Sequence, residues 1–247
     1  MSYRPLSREV RVCPEISSLS VVDGGDVSMK DRREGRPLTV VRSTEVAEEG
    51  ELANVPGNYY SKHQSSNPAV QFLMNRFHRA ILEQVRRSRA NSILDVGCGE
   101  GHTTREIAAA TAVHVAGIDL ELEAVGQARR LYPHLRFLSA SVYELPFRDA
   151  AFDLVVATEV LEHLDSPSNA LCELRRVSRR WCLVSVPHEP WWRIANLARG
   201  AYWSALGNTP GHVQHWGRRG LRMLLRETFN EVEVRSTAMW SIALCRD

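Results

Sequence analysis

Ile93-Leu94-Asp95-Val96-Gly97-Cys98-Gly99-Glu100-Gly101 is the stretch that decides the fold. Ser92 to Val96 is a short apolar run, it ends in three alternating glycines, and Thr103 to Ala110 then repeats its apolar residues at helical spacing. A strand that turns through glycines into a helix is where an open α/β sheet holds its ligand, since glycine lets the backbone approach closely. The spacing narrows the ligand. A dinucleotide fingerprint, G-x-G-x-x-G, needs its third glycine where His102 stands, and here that glycine falls one position early, at Gly101. Asp95 and Glu100 flank the turn, and a carboxylate there repels a pyrophosphate but favours an ammonium or sulfonium group. A cationic nucleoside fits better than a nicotinamide dinucleotide, which stays as the rival.

Outward from the turn, the pattern alternates. Val113 to Asp119 reads as a strand, Leu122 to Leu131 as a helix, Leu135 to Leu138 and Phe152 to Ala157 as strands, Pro167 to Val177 as a helix and Trp181 to Val186 as a strand. Strands separated by helical segments predict βαβ units and a parallel sheet covered on both faces. The end differs, because helix Arg218 to Thr228 is followed by two strand-like runs, Glu231 to Arg235 and Ala238 to Leu244, too close for a crossover helix. They are expected to pair antiparallel. Upstream, Val70, Leu73, Met74, Phe77, Ile81, Leu82 and Val85 recur at helical spacing after Asn67-Pro68, which predicts a capped amphipathic helix to about Arg89. Asp119 ends the next strand after the turn, where a carboxylate can accept hydrogen bonds from both ribose hydroxyls.

Four segments in order now carry a family resemblance: Asp95 to Gly101, Gly117-Ile118-Asp119, Leu145-Pro146-Phe147 before Phe152 to Val156, and Glu159-Val160-Leu161-Glu162-His163-Leu164. Together they resemble class I S-adenosylmethionine-dependent methyltransferases, of the small-molecule type related to quinone and natural-product methyltransferases. The resemblance covers about Asn58 to the C-terminus. It implies a Rossmann-like three-layer α/β sandwich whose seven-stranded, mostly parallel sheet has an antiparallel last strand. It implies S-adenosylmethionine as cofactor, with Asp95, Gly97, Cys98 and Gly99 around the methionine part, Asp119 and Leu120 at the ribose and Glu159 at the methionine tail or shaping the turn. Where such enzymes usually place an Asp at the adenine amino group, this chain has Ser141, followed by Val142; a hydroxyl or the Val142 backbone substitutes more weakly than a charged acceptor.

His163 and His215 are the candidates for a general base on the acceptor side, an imidazole being the side chain whose ordinary pKa lies near working pH. His163 also suits a loop anchor held by hydrogen bonds, the commoner role for a histidine in this motif. Residues 187–216 are expected to form a lid over the acceptor, with Trp191, Trp192, Tyr202, Trp203 and Trp216 as walls for an apolar or planar small molecule, some of them packing only. Tyr59, Tyr60, Lys62 and His63 are expected to close over the cofactor. His212-x-x-His215 invites a zinc reading, but two histidines without a third ligand leave the expectation at no metal. Cys98 reads as a packing residue and His102 as solvent-facing. Arg218, Arg219 and Arg222 read as a solvated helix face.

Composition excludes broad alternatives. The 247 residues are 44% hydrophobic and 24% charged, and 31 Lys plus Arg against 29 Asp plus Glu leave a net charge of +2. No large field favours nucleic acid or an anionic membrane. Five cysteines with no C-x-x-C pair argue against a disulfide framework or a thiolate zinc site, and point to a reducing cytoplasm. No apolar run reaches a membrane span, and the first residues do not resemble an export signal. Residues 1–57 have one aromatic, Tyr3, and scattered Gly, Pro and charge, so they are expected to stay disordered apart from a short strand or hairpin near Leu38 to Val41. Besides an enzyme acting on a small molecule, the residues also fit a cofactor-binding module that serves a partner complex. The oligomeric state is not legible.

Overall fold

The computed structural model describes residues 29–30, 37–38, 67–198, 206, 208–209, 211–237 and 239–247. Within them seven strands form one sheet: β1 (Ser92–Val96), β2 (His114–Asp119), β3 (Arg136–Ser139), β4 (Phe152–Thr158), β5 (Ser178–Pro187), β6 (Glu231–Ser236) and β7 (Trp240–Arg246). Six helices accompany them: α1 (Pro68–Ser88), α2 (His102–Thr111), α3 (Leu122–Leu131), α4 (Pro167–Val177), α5 (Trp191–Ala198) and α6 (Arg218–Arg226). The strand order is β3-β2-β1-β4-β5-β7-β6, and β7 alone runs antiparallel to its neighbours β5 and β6. The expected sandwich with a reversed last strand is the observed one.

The two-residue period of the strands sorts their side chains onto two cores. Ile93, Val115, Leu154, Val156 and Leu183 meet Phe77, Ile81 and Val85 of α1 and Ile107 of α2 on one face. Leu94, Val96, Ala116, Ile118, Val155, Ala157, Cys182 and Val184 meet Ala170, Leu171 and Leu174 of α4 and Leu221 and Leu225 of α6 on the other. Both faces of the inner strands are apolar because helices cover both, and burying each such side chain contributes about 1.5–3 kcal/mol.

Element ends move by a few residues from the sequence reading. Helix α2 starts at His102 because Gly101, at φ 81°, sits as its N-cap. Strand β5 begins earlier, at Ser178, which pairs with Phe152 across a register shift before regular pairing starts at Leu154 and Trp181. Met29–Lys30 pairs antiparallel with Pro37–Leu38, next to the anticipated hairpin. The rest of residues 1–57, including 39–41, and Tyr59, Tyr60, Lys62 and His63 lie outside the described residues. Cys98, Cys182 and Cys245 are buried free thiols, whereas Cys172 is disulfide-bonded, a departure from the expectation drawn from the odd cysteine count. No helix among the described residues is long and apolar enough to cross a membrane.

Candidate functional site

The chain reverses its direction of travel across the sheet between β1 and β4, and the crevice beyond their C-terminal ends is where ligands of open α/β sheets bind. The turn after β1 occupies it. Gly97 and Gly99 take the left-handed conformation, at φ 71° and 52°. A Cβ on Gly97 would overlap the Val160 side chain from the turn after β4, so glycine is needed there for two loops to touch. Above Gly99 a Cβ would meet nothing within 4 Å, which leaves open space over the turn. The Cys98 N–H donates to Ile118 O at 2.8 Å, and the Gly99 N–H donates to Asp119 Oδ2 at 2.7 Å. The turn is thereby fastened to the end of β2.

A cavity of about 280 Å³ opens beside this turn. Gly97 forms its floor, Asp119 and Leu120 one side, Ser141, Val142 and Tyr143 a second, and Glu159, Val160, His163 and Leu164 a third. The structure thus brings Gly97, Asp119, Leu120, Ser141, Val142, Glu159 and His163 together. The Ser141 Oγ accepts the Tyr143 N–H at 3.2 Å, which fixes the loop after β3. Glu159 sits at φ 59°, and its Oε2 accepts the Trp240 indole N–H at 2.9 Å. The carboxylate is held at the cavity wall by a residue of the last strand.

Asp95 is placed elsewhere. It shares the α1/α2 face of β1 with Ile93, is fully buried, and accepts a 2.7 Å hydrogen bond from Thr104 Oγ1 of α2. Burial pushes its carboxyl up to about 7, against the Thr104 hydrogen bond and with help from the nearby Asp119 charge. It ties α2 to the strand behind the turn and does not line the cavity. The Cys98 side chain packs with Val125, Ala128 and Phe137, and burial pushes its thiol well above the ordinary range. The packing role is as expected, and within the turn the thiol also donates to Gly99 O at 3.6 Å. His102 is not solvent-facing: its Nδ1 lies 2.7 Å from Tyr132 Oη and its Nε2 3.2 Å from Glu100.

The acceptor-side histidines separate. His163 lines the cavity, with Nδ1 2.9 Å from Gly211 O. His215 is absent from the cavity wall and pairs through Nε2 with Asn208 Oδ1 at 2.7 Å. His212, not His215, packs against His163, the two rings 4.9 Å apart and nearly perpendicular. Of the aromatic segment, Trp192 is buried against Trp240 and donates to Thr209 Oγ1 at 3.0 Å, Trp216 packs on the core, and Trp191 is exposed. Tyr202 and Trp203 lie outside the described residues.

The model of a family described as a methyltransferase domain matches residues 94–182, from β1 into β5, the part that holds the glycine turn and three sides of the cavity. Over these residues the chain is similar to S-adenosylmethionine-dependent methyltransferases. The O-methyltransferase rstn1 of Aspergillus nomiae is 36% identical to it over 116 residues, which are 44% of this chain and 52% of that protein. A probable S-adenosylmethionine-dependent methyltransferase of Mycobacterium tuberculosis is 34% identical over 112 residues, 45% of this chain and 40% of that one. The chain therefore spans about half the length of the curated relatives it matches. Among solved structures, magnesium protoporphyrin IX methyltransferase from Synechocystis, with bound SAH, covers 76% of this chain and 93% of its own at TM-score 0.59 and 16% identity, a likeness of fold.

A larger opening, of about 680 Å³, lies between α6 and the outer strand β6, lined by Arg87, Arg218, Arg222, Arg226, Arg235 and Arg246 with Glu231 and Glu233. It lies far from the glycine turn and shares no residue with the smaller cavity, so size does not identify the site; convergence of the strand ends does. Arg218 and Arg222, read as a solvated helix face, are among its walls. Sequence reasoning missed Tyr143 and Val160 as walls, Trp240 as the partner of Glu159, and the meeting of His212 with His163. Tyr143 follows Ser141 by two in the same loop, which was signal enough; the other contacts are between distant segments and had none.

Proposed function

We propose that the domain transfers the methyl group of S-adenosylmethionine to an oxygen of a small, largely apolar acceptor. The observation that carries this reading is the single cavity in which a glycine turn, the Asp119 carboxylate, the Glu159 carboxylate and the apolar side chains of Leu120, Val142, Val160 and Leu164 converge. The oxygen rests on the relatives named O-methyltransferase.

The donor set suits the cofactor. Open space above Gly99 admits a ligand against backbone, and the cavity-lining residues supply suitable partners: we assign Asp119 to the ribose hydroxyls, Ser141 and Val142 to adenine and Glu159 to the ammonium group. When bound, S-adenosylmethionine supplies a reactive methyl group on a sulfonium. What the chain adds is position and dryness: catalysis of this kind consists mainly of holding the acceptor in line about 3 Å from the methyl group and excluding water. His163, on the cavity wall, is the residue we assign to the acceptor's proton, and His215 to the cover over the site. Residues 187–216 are the proposed cover, with Trp192 as its anchor on the core.

Calorimetry with S-adenosylmethionine, S-adenosylhomocysteine and NAD tests the cofactor. Binding of the first two without competition from NAD is expected; NAD binding in the absence of the others overturns the reading. A panel of hydroxylated aromatic and aliphatic acceptors with labelled cofactor then tests the transfer, and label found only on nitrogen or carbon overturns the choice of oxygen.

A further inference from the structure

We propose that Glu162, His163 and His212 form a binding site for a divalent transition-metal ion at the rim of the cofactor cavity, with open positions that take an oxygen of the acceptor. The part about the acceptor rests on the function proposed above; the metal site does not.

One ligand atom from each of the three side chains lies within 4.8 Å of the other two. A cation about 2.0–2.2 Å from N and O ligands holds them about 3–4 Å apart, so small side-chain rotations close the triangle. The His163 Nδ1 lies 2.9 Å from Gly211 O, and a carbonyl only accepts, so Nδ1 is protonated and Nε2 is the ring atom that would turn to a metal once deprotonated. This is the outer hydrogen bond that metal-binding histidines ordinarily make.

The two segments that carry the ligands are fastened together through their backbones. The Glu162 carbonyl accepts the Val213 N–H at 2.9 Å and the Gln214 N–H at 3.1 Å. His212 is fixed from both sides, its N–H donating to Thr209 O at 3.1 Å and its carbonyl accepting from Asn208 Nδ2 at 3.2 Å. Glu162 is 1% exposed and His212 7% exposed, so a carboxylate and an imidazole have been taken out of water at one point.

Two imidazoles and one carboxylate, with no thiolate, suit Zn²⁺, Fe²⁺, Mn²⁺ or Co²⁺ and leave positions for other ligands. His163 belongs both to this triangle and to the cavity wall, so an open position faces the acceptor. There the cation would lower the pKa of a bound hydroxyl, as it does for water. With Nδ1 on Gly211 O and Nε2 on the metal, His163 serves in the loaded protein as a ligand in place of the proton acceptor assigned above: the hydroxyl proton leaves to solvent, the oxygen forms its bond to the methyl carbon, and the carbon–sulfur bond breaks with its electron pair staying on sulfur. The pair His212-x-x-His215, which left the sequence expectation at no metal, is not the pair that meets here: the structure places the His215 ring on Asn208.

The test is cobalt and zinc uptake by the full chain after chelator treatment, followed by elemental analysis and the visible spectrum of the cobalt form. About one equivalent is expected, with His212→Gln and Glu162→Gln weakening uptake at least about tenfold and His215→Ala retaining it. Because Glu162 is buried, the wild-type stoichiometry and the His212 variant decide if Glu162→Gln does not fold. Uptake below about a tenth of an equivalent, or uptake indifferent to His212→Gln, overturns the site; a proton-bridged carboxylate–imidazole cluster would give that result. Catechol, added with S-adenosylhomocysteine present, should shift the cobalt bands. An unchanged spectrum overturns the open position facing the acceptor, and failure to bind S-adenosylhomocysteine in calorimetry counts against the proposed function alone.

Discussion

Asp119 reaches back across the glycine turn to Gly99: its Oδ2 accepts the Gly99 N–H at 2.7 Å while its Oδ1 accepts the Glu121 N–H at 3.0 Å. One carboxylate thus braces the turn and stands in the cavity wall. Asp119→Ala is expected to weaken S-adenosylhomocysteine binding by about 1.5–3 kcal/mol, the range for hydrogen bonds to a charged group. Calorimetry on a variant whose circular dichroism matches wild type checks it; unchanged affinity would make Asp119 a brace only.

Gly97 and Gly99 share the left-handed backbone but not their surroundings. Alanine at Gly99 meets open space, so its cost should be near the 1 kcal/mol, roughly, of placing a side chain at positive φ. Alanine at Gly97 adds an overlap with Val160 and should lower stability by about 1–3 kcal/mol more, as overpacking does. Denaturant melts of the two variants give the difference, and equal stabilities would show that the Val160 loop yields freely.

The strands and helices were legible because both periods are clean: Ile93 and Leu94 go to opposite cores, and α3 and α4 start and stop at the expected residues. The same two-residue period carried the position of Asp95, which shares a face with Ile93 and therefore lies under α2, although its place beside the turn suggested a ligand contact. What spacing cannot carry is contact between segments far apart in the chain. His163 meets His212 only because the Glu162 carbonyl captures the backbone of 213–214, and Glu159 meets Trp240 only because β7 is inserted beside β5. His102 was read as exposed because the chain gives no sign that Tyr132, at the end of α3, reaches it.

His163→Ala and His215→Ala should now differ. His163 is on the cavity wall, and a group that moves the acceptor's proton contributes about 10²–10⁴-fold to kcat. His215 is held on Asn208, so its removal should change kcat and KM together and by less than about tenfold. Steady-state kinetics with whichever acceptor the panel identifies, together with cofactor affinity, separates them. Equal losses of kcat would place both imidazoles at the acceptor.

Asp95 makes the fold sensitive to pH in a direction opposite to most carboxylates. Its carboxyl titrates at about 7 in the fold, chiefly because it is buried, against about 3.9 when unfolded. Between those values the folded chain holds a proton that the unfolded chain has released, so this group's contribution is whole below about pH 4 and is lost as pH rises through about 7. Three units or so correspond to an upper bound of about 4 kcal/mol. Asp95→Asn keeps an oxygen to accept the Thr104 hydroxyl, whose bond to Asp95 is 2.7 Å, and never ionises. The melting temperature of Asp95→Asn minus that of wild type should therefore climb between pH 4 and pH 8, by several degrees at about 2–4 °C per kcal/mol. Because other titrating groups cancel in the difference, a flat curve would mean that Asp95 stays ionised beside Thr104 and that the hydrogen bond outweighs its burial.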